Sequence, residues 1–215
     1  LQTTVDLAAL GEVAVIALIS LAIFALVAFA ILRVARLPVP AYLPPLTFHN
    51  AGNLGLSICL FAFGETGLAV AIAYFAVCAT LHYTLGTWFY SGRTSPADAL
   101  KTPLPYAIAV AIPLLLLDAQ PPDWVLNTTG LVGQITIPLM LFTLGVSLTR
   151  LKSTELARHT TLAAFRLALG FGVGLGLAEL FGLEGIARGV VILQASMPAA
   201  VFNYLLAQQF GRYSD

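Results

Sequence analysis

Along most of this chain apolar residues neither alternate nor keep to one face; they come in long runs, broken by short polar or proline-rich stretches. A helix needs roughly 20 predominantly apolar residues to cross the hydrocarbon core of a bilayer. Seven such spans are predicted: 11–32, 46–63, 68–90, 103–118, 125–148, 161–180 and 186–209. Punctuation supports the divisions, with Pro38, Pro40, Pro44 and Pro45 before the second, Gly64 to Gly67 after it, and Pro121-Pro122 before the fifth. The fourth is short and carries Pro105 and Pro113; Ser91 to Pro103 is the longest polar loop, and Thr149 to Thr160 is predicted as a surface helix.

Two of the seven runs are interrupted from within. His49-Asn50-Ala51-Gly52-Asn53-Leu54-Gly55-Leu56-Ser57 places two asparagines and two glycines inside one, and Gln194-Ala195-Ser196-Met197-Pro198 breaks another. An unpaired amide in hydrocarbon costs several kcal/mol, so such patches survive only buried in protein or lining a polar cavity. One interrupted span in each half is the pattern of a secondary transporter's binding site. The alternative is a packing interface of small and polar residues. Two amides within four residues favour the binding reading.

Composition excludes a soluble domain: 59% of the 215 residues are hydrophobic and 9% are charged, against roughly 25% charged in globular chains. Cys59 and Cys78 both lie in apolar runs and predict no disulfide framework. His49, His82 and His159 show no ligand spacing, so no metal, no cofactor and no enzymatic activity are expected. Residues 1 to 6 lack the basic start of a signal peptide. A nucleic-acid partner is not expected; the partners are membrane lipid and a small solute.

The distribution of charge sets orientation. With seven spans, one face collects Arg33, Arg36, Arg93, Lys101, Arg150, Lys152, Arg158 and Arg212, and the other holds only Arg188 beside Asp6, Glu12, Glu65, Asp118, Asp123, Glu179 and Glu184. The positive-inside rule makes the loops 33–45, 91–102 and 149–160 cytoplasmic in a multi-pass plasma (inner) membrane protein.

Asn50-Ala-Gly-Asn-Leu-Gly-Leu-Ser57, followed by Phe63-Gly-Glu-Thr-Gly-Leu68, resembles the N-x-G-N-x-G-x-P … F-G-x-x-G signature of the auxin efflux carrier (AEC, PIN-like) transporters, with serine where that family has proline. Gln194 to Val201, then Leu206 to Gly211, is similar to the family's second crossover helix; Phe142 to Leu148 and Phe165-Arg166-Leu167 resemble weaker markers. The resemblance implies an all-α membrane fold of two inverted five-helix repeats, the fourth helix of each broken where the two cross. It divides the chain into residues 1–90 of a first repeat, a loop 91–102, and 103–215 of a second. Two spans before Leu1 and one after Asp215 are then expected to be missing. It leaves room for a homodimer.

If the breaks cross, the free N–H groups and positive dipole ends of two half-helices converge and suit an anion. Asn53 is expected to cap the half-helix near Leu54–Ser57, and Ser196 the one containing Pro198. The Asn50 amide would donate to a carboxylate, as its counterpart in the family is thought to do. The expected site comprises His49, Asn50, Gly52, Asn53, Gly55, Ser57, Gln194, Ser196, Met197, Pro198 and Asn203. His82 reads as structural, Gln134 and Thr143 as equally cavity or packing residues, and Arg166 as a side chain snorkelling to the cytoplasmic edge, with anion contact as the minority reading. The expected function is transport of a small organic anion, such as malate, malonate or an auxin-like acid, by alternating access. No Asp or Glu lies deep in a span to relay protons, so efflux driven by the membrane potential is the expectation. A sodium-coupled symporter of the bile-acid type is the runner-up. A seven-helix receptor is a distant third: no lysine is buried for retinal, and the receptor disulfide and acid-Arg triplet are missing.

Overall fold

The structure, a computed structural model, describes residues 7–91, 103–117, 119–150 and 156–211. It is all α, the described residues holding no strand beyond one isolated bridge. In chain order the helices are α1 (Leu7–Val34), α2 (Val39–Thr47), a π-helical segment (Ala51–Leu56), α3 (Ser57–Leu81), a second π-helical turn (His82–Gly86), α4 (Thr87–Ser91), α5 (Leu104–Leu116), α6 (Asp123–Arg150), α7 (Leu156–Leu180), α8 (Gly185–Ala195) and α9 (Val201–Gln209). Four stretches are long and apolar enough to cross a membrane: Ala8–Val34, Ala51–Ser91, Asp123–Ser147 and Ala157–Leu180.

The 41-residue stretch Ala51–Ser91 is not one straight rod. Gly64 inside it has φ 67° and ψ −159°, a combination open essentially to glycine alone. A Cβ on Gly67 would lie 3.0 Å from the carbonyl oxygen of Cys59, whereas residues eight apart in a straight helix are separated by about 12 Å. The chain therefore doubles back at Gly64, where the sequence divides the second and third spans. Nothing lies within 4 Å of a Cβ built on Gly64, so its replacement tests backbone strain alone. Gly64→Ala is expected to cost about 1–3 kcal/mol and to lower the thermal midpoint in detergent, while Gly11→Ala, also in open space, leaves it unchanged or raised.

Two boundaries differ from expectation. Residues 39–45, expected in a cytoplasmic loop, form most of α2. Pro40 sits in the first turn, where a missing N–H costs nothing, and Pro44 is buried against the neighbouring helices. The prolines that read as punctuation are part of a short half-helix. Of the predicted surface helix at 149–160, Thr149 and Arg150 belong to the end of α6 and 156–160 to the start of α7, and 151–155 lie outside the described residues. The loop 91–102 lies outside the described residues beyond Ser91, as do Asp6, Arg93, Lys101, Asp118, Lys152 and Arg212.

The core is organised on α1. Val13, Ala17, Leu21, Phe24, Ala28 and Leu32 are buried, a spacing of three and four that keeps one stripe inward. Val15, Leu18, Leu26 and Phe29 on the other side are exposed, as suits a lipid-facing surface. Ser20 and Tyr74 share a buried hydrogen bond of 2.7 Å that ties α1 to α3. Gly170 and Gly174 let α7 approach the last turn of α8 closely: an added Cβ would meet the Ala195 carbonyl oxygen and the Ile192 Cα respectively.

Candidate binding site at the crossover

Both interrupted runs break, and the breaks meet. The first opens at Phe48–Asn50, between α2 and the π-helical segment, and the second at 196–200, between α8 and α9. Pro198 explains the second: it lacks an N–H and disfavours a helical residue before it. The strands of chain run antiparallel at a His49–Ala199 bridge, with the Asn50 N–H donating to Pro198 O (2.8 Å) and the Ala200 N–H to Phe48 O (3.0 Å). In hydrocarbon this pairing is the physical reason two open backbones are tolerated. Each satisfies the other.

Beside the pair lies a cavity of about 130 Å³. His49, Asn50, Gly52 and Asn53 line one side, and Ala200, Val201 and Phe202, at the start of α9, line another. Phe75, Cys78, Ala79, His82, Tyr83 and Met140 contribute further wall, and among the described residues no acidic side chain lines it. Helix beginnings carry N–H groups without intrahelical acceptors and the positive end of the dipole. Two such beginnings face the same space. Among the described residues the amide of Asn50 makes no capping bond.

The side chains divide the expected site. Asn203 does not line the cavity. It ties the breaks together, its Nδ2 donating to Phe48 O (2.9 Å) and its Oδ1 standing 3.0 Å from His82 Nε2. An Oδ1 acceptor assigns the proton to His82 Nε2, and Phe48 stacks on that ring at 4.5 Å. His82 thus belongs to the wall and to the brace at once. His49 is buried, its Nε2 3.8 Å from Cys78 Sγ and its ring edge-on to Phe24.

Several expectations are corrected. Asn53 does not cap a helix, because the π-helical segment already begins at Ala51, and Asn50 occupies the position before it. Ser57 donates to the Asn53 carbonyl at 2.8 Å; it lies past the break and outside the cavity wall. Ser196 ends α8, donating back to Ile192 O at 2.6 Å. Pro198 lies in the extended link, since α9 begins only at Val201. Met197 is buried nearby without lining the cavity. Gly55 and Gln194 pack on each other: a Cβ on Gly55 would collide with the Gln194 amide, whose Nε2 reaches Ala71 O at 3.4 Å while its Oε1 has no partner. Gln134 and Thr143 face outward, and Met140 is the α6 residue in the wall.

Arg166 is the largest departure. Instead of snorkelling it is 1% exposed. Its guanidinium lies 4.1 Å over the Phe24 ring, and Nη1 donates to Ala195 O at 3.1 Å, at the last turn of α8. The Phe24 ring closes it from α1, and the end of α8 closes it from the other side. Nε and Nη2 have no partner. Burying a cation costs several kcal/mol; a desolvated cation–π contact returns about 2 kcal/mol and a charged hydrogen bond about 1.5–3 kcal/mol. These terms are of similar size, and two of the three guanidinium nitrogens are left without a partner.

A family profile described as membrane transport protein matches residues 89–215, more than half of the chain and including the second break. The chain belongs to the auxin efflux carrier (AEC) family. An uncharacterized transporter of Methanocaldococcus jannaschii is 29% identical over 170 residues, covering 73% of this chain and 54% of that protein. One from Methanothermobacter thermautotrophicus is 25% identical over 164 residues, covering 74% and 54%. The AEC chain thus spans about half the length of the curated relatives it matches. No solved structure matches it. The inward-facing amides and glycines of the first break were readable from the family motif; the Asn203–His82 brace carried no local signal, being assembled from residues 121 positions apart.

Proposed function

We propose that the crossover cavity binds a small organic anion, and that the protein carries it across the plasma membrane by alternating access. The observation that carries the reading is the convergence of two helix beginnings and the Asn50 amide on a space that, among the described residues, has no acidic side chain in its wall. Such a space favours negative charge. Ligand pockets for drug-sized molecules run to about 300–1,000 Å³, so a cavity of about 130 Å³ suits a malonate- or malate-sized acid better than a bile acid. An anion leaving an inside-negative cell gains about 2.3 kcal/mol per charge per 100 mV, enough to drive export without a coupled ion. The basic loops face the cytoplasm in this reading. The unpartnered Gln194 Oε1 is the one feature that favours the second reading, a sodium-coupled symporter, because a bare carbonyl oxygen is a cation ligand.

The test is counterflow by the full protein in proteoliposomes, with labelled malonate, malate and indole-3-acetate, and with sodium and proton gradients imposed or collapsed. Saturable exchange of the small dicarboxylates that responds to membrane potential and survives collapse of both gradients is the expected result. Strict dependence on a sodium gradient selects the symporter. Exchange of none of the three acids overturns the anion reading.

A further inference from the structure

Arg166 stands apart from the cavity just described: it does not line it, yet it adjoins it through one ring. Phe24 carries the guanidinium on its face, with 4.1 Å to the ring centroid, and the His49 ring against it at 5.6 Å, and His49 lines the cavity. The guanidinium is almost wholly buried, and three of its atoms divide unequally: Nη1 is bonded to Ala195 O, while Nε and Nη2 are bonded to nothing. Those two nitrogens form the fork that takes a carboxylate or a halide side-on. Arginine cannot shed its proton to escape the cost of burial. A buried cation is compensated by hydrogen-bond acceptors and by negative partners, and the described residues offer Nε and Nη2 neither. Glu179, on the same helix, pairs instead with Arg188, both exposed, at the far end of α7.

We propose that Arg166 is a second anion site, in which Nε and Nη2 hold a small anion behind the crossover. The inference rests on the reading that this protein handles anions, and it adds a station that the crossover motifs do not contain. The geometry gives the station a place, at the last turn of α8 where the second half of the crossover departs. An anion there also neutralises the charge while leaving the Ala195 bond intact. Two sources share the chemistry: the transported carboxylate itself, or a resident inorganic anion such as chloride.

The experiment measures the thermal midpoint of the full protein in detergent, titrated at constant ionic strength with sodium malonate, with sodium chloride, and with malonamide as the uncharged match. Saturable stabilisation by malonate or by chloride, but not by malonamide, is expected in the wild type. Arg166→Gln, which keeps a donor but no charge, is expected to weaken that effect at least tenfold in apparent Kd; Arg166→Lys keeps the charge without the fork and restores part of it. Malonate dependence assigns the station to substrate, and chloride dependence to a resident ion. If Arg166→Gln fails to fold, bromide-soaked wild-type crystals decide: an anomalous peak against Nε and Nη2 supports the site, and peaks only elsewhere overturn it. Asn50→Ala separates the two claims. Loss of transport in Asn50→Ala with anion stabilisation unaltered in Arg166→Gln overturns this inference and leaves the cavity reading standing; unaltered transport in Asn50→Ala with stabilisation lost in Arg166→Gln does the reverse.

Discussion

Replacing Asn50 or Asn53 by alanine is expected to abolish carboxylate counterflow while leaving a folded protein. Both residues line the cavity, and Asn50 supports the crossover through its backbone: its N–H pairs with Pro198 and its carbonyl accepts from Gly55. Alanine keeps both bonds. What disappears is a side-chain donor to a buried anion, a bond worth about 1.5–3 kcal/mol, or roughly 10- to 150-fold in affinity. Asn50→Asp sharpens the test, since it keeps the shape and adds a repelling charge; transport is expected to fall at least as far as with alanine. Size-exclusion profiles and thermal midpoints close to wild type would show that binding, not folding, was lost. Counterflow of wild-type magnitude in both alanine variants would move the site elsewhere.

The second large effect is expected at Gly170, with no contact to the cavity at all. A Cβ there would sit against the Ala195 carbonyl oxygen and 2.9 Å from the Ser196 Cα. These are backbone atoms of the second break, which cannot swing aside as a side-chain tip does. Gly170→Ala must therefore push α7 away from the crossover or shift the crossover itself. Overpacking of this kind costs about 1–3 kcal/mol, and Arg166 Nη1, 2.6 Å from the same Cβ, is displaced with it. Lower folded yield, a lower midpoint and at least tenfold slower counterflow are expected together. The same helix supplies the control. Gly172 and Gly176 have nothing within 4 Å of an added Cβ, so alanine there should be neutral or slightly stabilising through helix propensity. Equal behaviour of Gly170→Ala and Gly172→Ala would mean that α7 does not press on the break.

What the chain disclosed on its own follows from what is local. Length of apolar runs is local, so long apolar helices emerge, although four stretches among the described residues are long enough to cross a membrane where seven spans were expected; the turn at Gly64 emerges because a Gly-Glu-Thr-Gly stretch between apolar runs reads as a turn. The breaks emerge because asparagine, glycine and proline are costly in a membrane helix whatever surrounds them. The caps did not: whether Asn53 or Asn50 begins the helix depends on how the π-helical segment is wound, and that depends on what the segment pairs with. Proline misled at α2, where Pro40, Pro44 and Pro45 read as a linker, although first-turn and packed prolines fit a short half-helix. Arg166 misled more. Its position near the end of a predicted span suggested a side chain reaching for water, but Phe24 and Ala195, 142 and 29 residues away along the chain, decide that it stays inside. Contacts at that separation leave no trace in a single sequence.

A density map of the full protein saturated with a small dicarboxylate puts the central claim to the test most directly. An opened backbone at 48–50 paired with one at 196–200 is expected, with ligand density bounded by Asn50, Asn53 and the first turn of α9. Unbroken helices through both regions, or a bound acid that touches neither asparagine, would contradict it.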